Sequence, residues 1–346
     1  MTAARQGPRV GLIYDRFGDR EPPPGAPPDW DAEYEPEETL VALEDALRHL
    51  GCVPVRVGNA DALLTAMTAG SLLEPPFALD AALSIAEGYG SRNREAHAPV
   101  LLELANVPAL GSDALALSVS LDKHLAKVVA LHAGVATPPW AVVSGAEELA
   151  RAALPPFPLI VKPRYEGTAK GIGPQSRCEG AGALHAEVAR QTTLYGQDVL
   201  VEAFVAGAEF TVGVTGTGAA AVAGPALQRA VERTTGIGLH ALERYEDPAA
   251  PFSYDTPAVI TPALEEALRN AALAVHRALG CRDFSRSDFR VDAAGRHFFL
   301  EINPLPTFAP DGTFAVEAEL AGVPYAAHLA SVLRPGLARL GLVRAA

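Results

Sequence analysis

The stretch DFSRSDFRVDAAGRHFFLEINPLP (283–306) decides how the chain is read. Its two apolar runs, 284–292 and 296–303, predict a pair of strands joined at the turn DAAG. Residues two apart in a strand share a face. Arg286 and Asp288 therefore project one way, and Glu301 and Asn303 project together on the next strand. Buried strands avoid charge unless something compensates it. Three oxygen-bearing side chains on adjoining strands suit a hard cation such as Mg²⁺, which prefers carboxylate and amide oxygens and leaves positions for phosphate. The alternative is the solvent face of an amphipathic hairpin with an incidental ion pair.

Upstream, strand FPLIVKP (157–163) runs directly into the glycine-rich turn YEGTAKGIG (165–173). Gly167, Gly171 and Gly173 would let backbone N–H groups approach an anion, with Lys162 and Lys170 as point charges. The pattern GxxxxGK[ST] is absent, and the same glycines also suit a turn needing positive φ. Glu202 and Glu209 flank AFVAGA, where a strand edge and two carboxylates could hold a nucleoside, or could be solvated loop acids.

Further out, RVGLIYD (9–15), CVPVRVG (52–58), ALSIAEG (82–88) and VPALGS (107–112) read as strands alternating with helices at 37–51, 59–69 and 94–105. Such alternation implies right-handed βαβ units and a parallel sheet, with ligands at the carboxyl ends of the strands. That places Tyr14, Asp15 and Glu87 near a site. The pattern changes near residue 113: helices at 113–119, 122–134, 145–153 and 180–194 alternate with strands at 157–163 and 198–205. A hairpin from 209, an irregular stretch at 225–260 and a helix at 262–280 follow. The Pro-rich acidic segment 20–38 cannot be regular structure.

Bulk properties bound the function. The 346 residues suit two or three packed subdomains. A net charge of −13 argues against a nucleic-acid surface, which wants a basic stripe. The four lysines (Lys123, Lys127, Lys162, Lys170) stand against 24 arginines, the remainder of 28 basic residues, so each lysine draws notice. Three separated cysteines form no zinc or disulfide framework and fit a reducing compartment. No signal-peptide core or long apolar run is present, so the expectation is a soluble, cytoplasmic protein that binds no membrane.

The order of these motifs resembles the ATP-grasp superfamily, and within it the D-alanine–D-alanine ligase family. The resemblance spans roughly 80–335 and rests on LALSVSLDKHLAK (115–127), PLIVKPRYEGTAKGI (158–172), VLVEAFVAGAEFTVGV (199–214) and SRSDFRVDAAGRHFFLEINPLP (285–306). It implies an α/β ATP-grasp fold. A parallel-sheet domain (1–112) would precede a central subdomain (113–203) and a C-terminal subdomain (204–346), the last two clamping ATP. It also implies an ATP-dependent carboxylate–amine ligase that joins two amino acids through an acyl phosphate, with ATP and two Mg²⁺ ions, Mn²⁺ being a substitute. A homodimer is a family expectation.

Carried over by position, Lys123 and Lys162 would grip phosphates, with Gly167 and Lys170 in the phosphate loop. Glu202, Ala203 and Val205 resemble the adenine hinge, and Glu209 the ribose acid. Asp288, Glu301 and Asn303 match the metal ligands, and Arg286 the arginine that steadies the acyl phosphate. Thr168 stands for a serine. Glu37 is the candidate acid for the substrate ammonium, and Glu87 stands where the family carries a histidine. Arg92 and Arg94 could bind a carboxylate, although Arg94 could instead cap its own helix region. Thr307 stands where the family carries a glycine and would narrow the space there, and Gly312 and Thr313 stand where a Ser-Leu pair receives the second substrate's carboxylate. The lid (226–257) lacks lysine, so Tyr245 or Tyr254 with Arg244 would substitute, or serve as packing anchors. These departures leave open a ligase for a different amino-acid or peptide pair, a small-molecule kinase, and a catalytically dead ATP-binding protein.

Overall fold

The computed structural model describes residues 7–246, 256–257 and 260–345. The first layer comprises β1 (Arg9–Tyr14), α1 (Glu37–His49), β2 (Val53–Gly58), α2 (Ala60–Thr68), β3 (Ala81–Ile85), α3 (His97–Leu104) and β4 (Ala109–Leu110). Its strands form a parallel sheet in the order β2-β1-β3-β4. Every residue of β3 is buried, as expected of a parallel strand covered on both faces. Asn59 caps α2 by accepting from Ala62 N–H.

Next come α4 (Ala114–Leu121), α5 (Lys123–His132), β5 (Trp140–Val143), α6 (Ala146–Leu149), β6 (Leu159–Pro163), β7 (Arg177–Cys178), α7 (Ala181–Tyr195) and β8 (Val199–Ala203). Here the sheet is antiparallel, ordered β5-β8-β6-β7. Asp122 ends α4 and caps α5 through His124 and Leu125 N–H, which fixes Lys123 at the first turn of α5.

The third group is β9 (Ala208–Thr215), β10 (Val222–Arg229), α8 (Leu239–Glu246), β11 (Thr256–Pro257), α9 (Pro262–Ala278), β12 (Phe284–Val291), β13 (His297–Asn303), α10 (Thr313–Ala321) and α11 (Tyr325–Arg339). Its antiparallel sheet runs β11-β10-β9-β12-β13. Within the stretch expected to be irregular, β10 extends to Arg229 and α8 forms, because β9 offers an edge that β10 pairs from Val222 to Arg229. Tyr254 lies outside the described residues, as do the side chains of Arg244 and Tyr245.

The last two helices pack elsewhere than the 204–346 boundary suggests. Phe308, Phe314, Leu329, Leu333 and Leu337 join Leu12, Leu40 and Leu43 in one core beside the first sheet. An apolar stripe on a helix requires a partner but does not name which sheet supplies it. This return of the chain brings the segment after β13 under the carboxyl ends of β1 and β3. Among the described residues, no helix is long and apolar enough to cross a membrane.

Candidate active site

The β12–β13 pairing places the charged strand residues as the period of two requires. Arg286 faces Asn303 and Asp288 faces Glu301, with a bulge immediately after Asp288. Arg286 Nη2 lies 3.0 Å from Asp288 Oδ2, and Lys123 Nζ lies 3.5 Å from Glu301 Oε2. Burial alone would push the Asp288 carboxyl up, but Arg286 and then Arg229 hold it down at about 2. It is therefore an anion at any working pH. Asn303 Nδ2 is buried without an acceptor.

Two cavities meet on this face. The larger, about 440 Å³, is lined by Arg286, Glu301, Asn303 and Thr307 together with Gly167 and Thr168. The smaller, about 80 Å³, is lined by Lys123, Lys162, Lys170, Glu202, Val205, Glu209 and Asp288. Lys123 and Glu301 line both, so the oxygen donors sit where the two spaces join.

The smaller cavity is built on charge pairs. Glu202 is 1% exposed and takes Lys162 at 2.9 Å, with Lys127 as its second partner. Burial opposes its charge, but Lys127 and Lys162 keep its carboxyl below the usual range. Burial in turn pulls Lys127 down to about 8. Glu209 pairs with Arg290 at 2.6 Å. Ala203 does not line this cavity; its N–H donates to Pro139 O, and the adjoining Phe204 and Val205 form the wall.

The phosphate-type loop between β6 and β7 has a tight conformation. Thr168, Ala169 and Gly171 adopt φ of 49°, 58° and 77°, in the left-handed region that a β-branched residue such as Thr168 rarely enters. A Cβ on Gly167 would stand 2.6 Å from Glu33 Oε1. That approach lets Gly167 N–H donate to Glu33 at 2.7 Å. Lys170 does not present its ammonium freely: it is 4% exposed and pairs with Glu33 at 3.2 Å and with Glu166.

The acids that reach the larger cavity come from the loop ahead of α1. Glu33 and Glu35 line it; Glu37 lies outside, paired with Arg16 and Arg56 at 2.7 Å each. Glu37 opens α1 and faces solvent, whereas Glu35 accepts from Thr39 and Thr307 hydroxyls. Arg94 is buried, donating to Glu33 and to Tyr165 O, and so neither caps a helix nor waits for a ligand carboxylate; Arg92 is exposed. Glu87 lines the cavity, as do Glu95, Arg229 and His240, which the sequence patterns do not single out. Gly312 and Thr313 begin α10 behind the wall formed by Thr307, Ala309 and Asp311.

With this geometry in place, the chain can be set beside known proteins. Residues 130–334 match the family model described as D-ala D-ala ligase C-terminus. A D-alanine–D-alanine ligase of Albidiferax ferrireducens is 36% identical over 236 residues, covering 67% of this chain and 65% of that protein. The uncharacterized protein y4sG of Sinorhizobium fredii is 30% identical over 324 residues, covering 93% and 92%. Among solved structures, the VanG D-Ala:D-Ser ligase from Enterococcus faecalis superposes with a TM-score of 0.68 at 18% identity, covering 95% of this chain and 99% of that one.

Proposed function

The chain belongs to the D-alanine–D-alanine ligase family of ATP-grasp enzymes, and on that premise we propose that it joins two amino acids at the expense of ATP, through an acyl phosphate. The observation that carries this reading is the junction at β12–β13. There Asp288 and Glu301 face one another, and Arg286 and Asn303 sit beside them at the meeting of the two cavities.

In this reading the smaller cavity takes the nucleotide. Lys123 and Lys162 face its phosphates, Phe204 and Val205 with Glu202 flank the base, and Glu209 serves the ribose. At about 80 Å³ the space is narrow, so nucleotide entry requires the two antiparallel sheets to part. Glu202 keeps the Lys162 ammonium paired until phosphate oxygens offer a second partner.

Two carboxylates and an amide make an all-oxygen donor set that fits Mg²⁺, or Mn²⁺ in its place. Asp288, Glu301 and Asn303 would hold the two ions, which would offset charge on the transferring phosphoryl group. Arg286 carries the rest on the protein's side. The first amino acid's carboxylate attacks the γ-phosphorus and the bond to ADP breaks. The second amino acid's amine then attacks the acyl carbon, phosphate leaves, and an amide remains. Arg286 would stabilise the oxyanion between those two steps. Thr307, held by Glu35, would set the width of the second amino acid's entry.

The test is ADP release with ATP and Mg²⁺ across single amino acids and pairs, beginning with D-alanine alone, with mass detection of the product. ADP release that depends on an amine acceptor and yields an amide supports a ligase. A stable phosphorylated product formed without acceptor would replace it with a kinase.

A further inference from the structure

A phosphoryl group that leaves a nucleotide in the smaller cavity for a carboxylate in the larger one meets the residues that line both. Among the described residues these are Lys123, Glu166, Ala169, Arg229, His240 and Glu301. The ligase reading uses Lys123 and Glu301 and leaves Arg229 and His240 without a task. Arg286 lines the larger cavity but not the smaller, and Lys162 the smaller but not the larger.

The sheet register fixes the face on which Arg229 projects. On β10 it stands opposite Glu209 of β9, which stands opposite Arg290 of β12. Two residues along, Thr211 of β9 stands opposite Asp288, and Asp288 opposite Glu301 of β13. Directly opposite residues share a face, as do residues two apart on one strand. Arg229 therefore projects from the same face as Asp288 and Glu301, at the junction of the two cavities.

The chain doubles back just after Arg229. Val231 bridges Gly238, and Leu239 N–H donates to Ala230 O at 2.9 Å, which returns the start of α8 to the end of β10. His240 Nε2 then lies 3.4 Å from Arg229 Nη1. A Cβ on Gly238 would overlap His240 Cε1, so the glycine leaves room for the ring. Burial, and then Arg229, pulls the imidazole down to about 4. The ring is neutral at any working pH, and its Nε2 can accept from the guanidinium.

We infer that Arg229 holds the equatorial oxygens of the phosphoryl group in transit, and that His240 positions its guanidinium. This rests on the ligase reading above. As the substrate's carboxylate oxygen bonds to the γ-phosphorus and the bond to ADP breaks, charge spreads over three equatorial oxygens. A planar guanidinium can donate to two of them at once. Arg229 is then a catalytic residue, and His240 a positioning residue that acts through it.

Titration calorimetry on the full chain with Mg²⁺ would compare ADP with the non-hydrolysable β,γ-imido analogue of ATP. Arg229→Ala is expected to weaken the analogue by about tenfold or more and ADP by less than about threefold. Equal losses for the two nucleotides overturn the proposal. Arg229→Lys keeps the charge but not the fork and should show the same selectivity at smaller size, which decides the matter where Arg229→Ala does not fold. On whichever amino-acid pair releases ADP, kcat should fall by about 100-fold in Arg229→Ala and recover in part with added guanidinium ion. His240→Leu should lower kcat by about tenfold in the parent and add nothing in the Arg229→Ala background. Additive losses overturn its positioning role. Selective loss of the analogue's affinity, with no amide from any pair, keeps Arg229 on the phosphoryl group and sinks the ligase. Amide formation that Arg229→Ala leaves untouched keeps the ligase and sinks the role of Arg229.

Discussion

Arg94 Nη2 lies 2.6 Å from Glu33 Oε1 with both side chains buried, tying the segment after β3 to the acidic loop after β1. Glu33 also holds Gly167 N–H and Lys170, so one carboxylate ties those two segments to the phosphate-type loop. Burial would push the Glu33 carboxyl up, but Arg94 and Lys170 hold it at about 2. Glu33→Gln removes that charge and leaves two buried cations short of a partner. Breaking such a pair costs about 3–5 kcal/mol. We expect a clear fall in thermal midpoint together with weaker ATP binding, measured by thermal unfolding and calorimetry. A midpoint unchanged from the parent would remove Glu33 from this role.

Glu301→Gln should abolish turnover while leaving the fold intact. The substitution keeps shape and an oxygen but removes the charge that a hard cation requires. Asp288→Asn should act alike, with added disturbance because Arg286 then loses its 3.0 Å partner. ADP release is expected to drop by about two orders of magnitude or more in both, with far-UV circular dichroism unchanged. Near-normal ADP production by Glu301→Gln would sink the metal assignment.

The site was legible in sequence where strands carry it and obscure where loops do. In β12 and β13 the period of two alone fixes which side chains share a face, and the register confirms Asp288 against Glu301. Between β1 and α1 no period exists, so nothing in the pattern says that Glu33 and Glu35 turn inward while Glu37 faces Arg16 and Arg56. Glu95 lies in a single 3-10 turn at Arg94–Ala96, too short to display a periodicity. The apolar stripes of α10 and α11 predict helices but not their return to the first sheet.

Arg286→Ala should cripple amide formation far more than ATP binding. Its guanidinium faces the larger cavity, where charge develops on the acyl group only during reaction. We expect kcat to fall by about 100-fold or more, with the dissociation constant of ATP changed by less than about threefold. Steady-state kinetics and calorimetry on the same preparation decide this. Equal losses in both would make Arg286 a nucleotide-binding residue.

Glu95 offers a pH signature of the substrate-free cavity. Burial raises its carboxyl to about 7, partly offset by Arg94, whereas an unfolded glutamate titrates near about 4.3. A carboxyl whose folded pKa exceeds its unfolded value favours the folded state most below the unfolded value. That contribution is lost as pH rises through about 7, because the native state must then ionise a buried acid. Glu87, raised well above its usual range by burial and then by Glu95, adds to the same slope. The ligand-free protein should therefore lose stability between pH 5 and pH 8. Glu95→Gln should flatten that loss, raising the thermal midpoint at pH 8 by a few degrees with little change at pH 5. Thermal unfolding of parent and variant at pH 5, 6, 7 and 8 reads this out. Parallel curves for the two proteins would mean that Glu95 titrates as an ordinary surface acid.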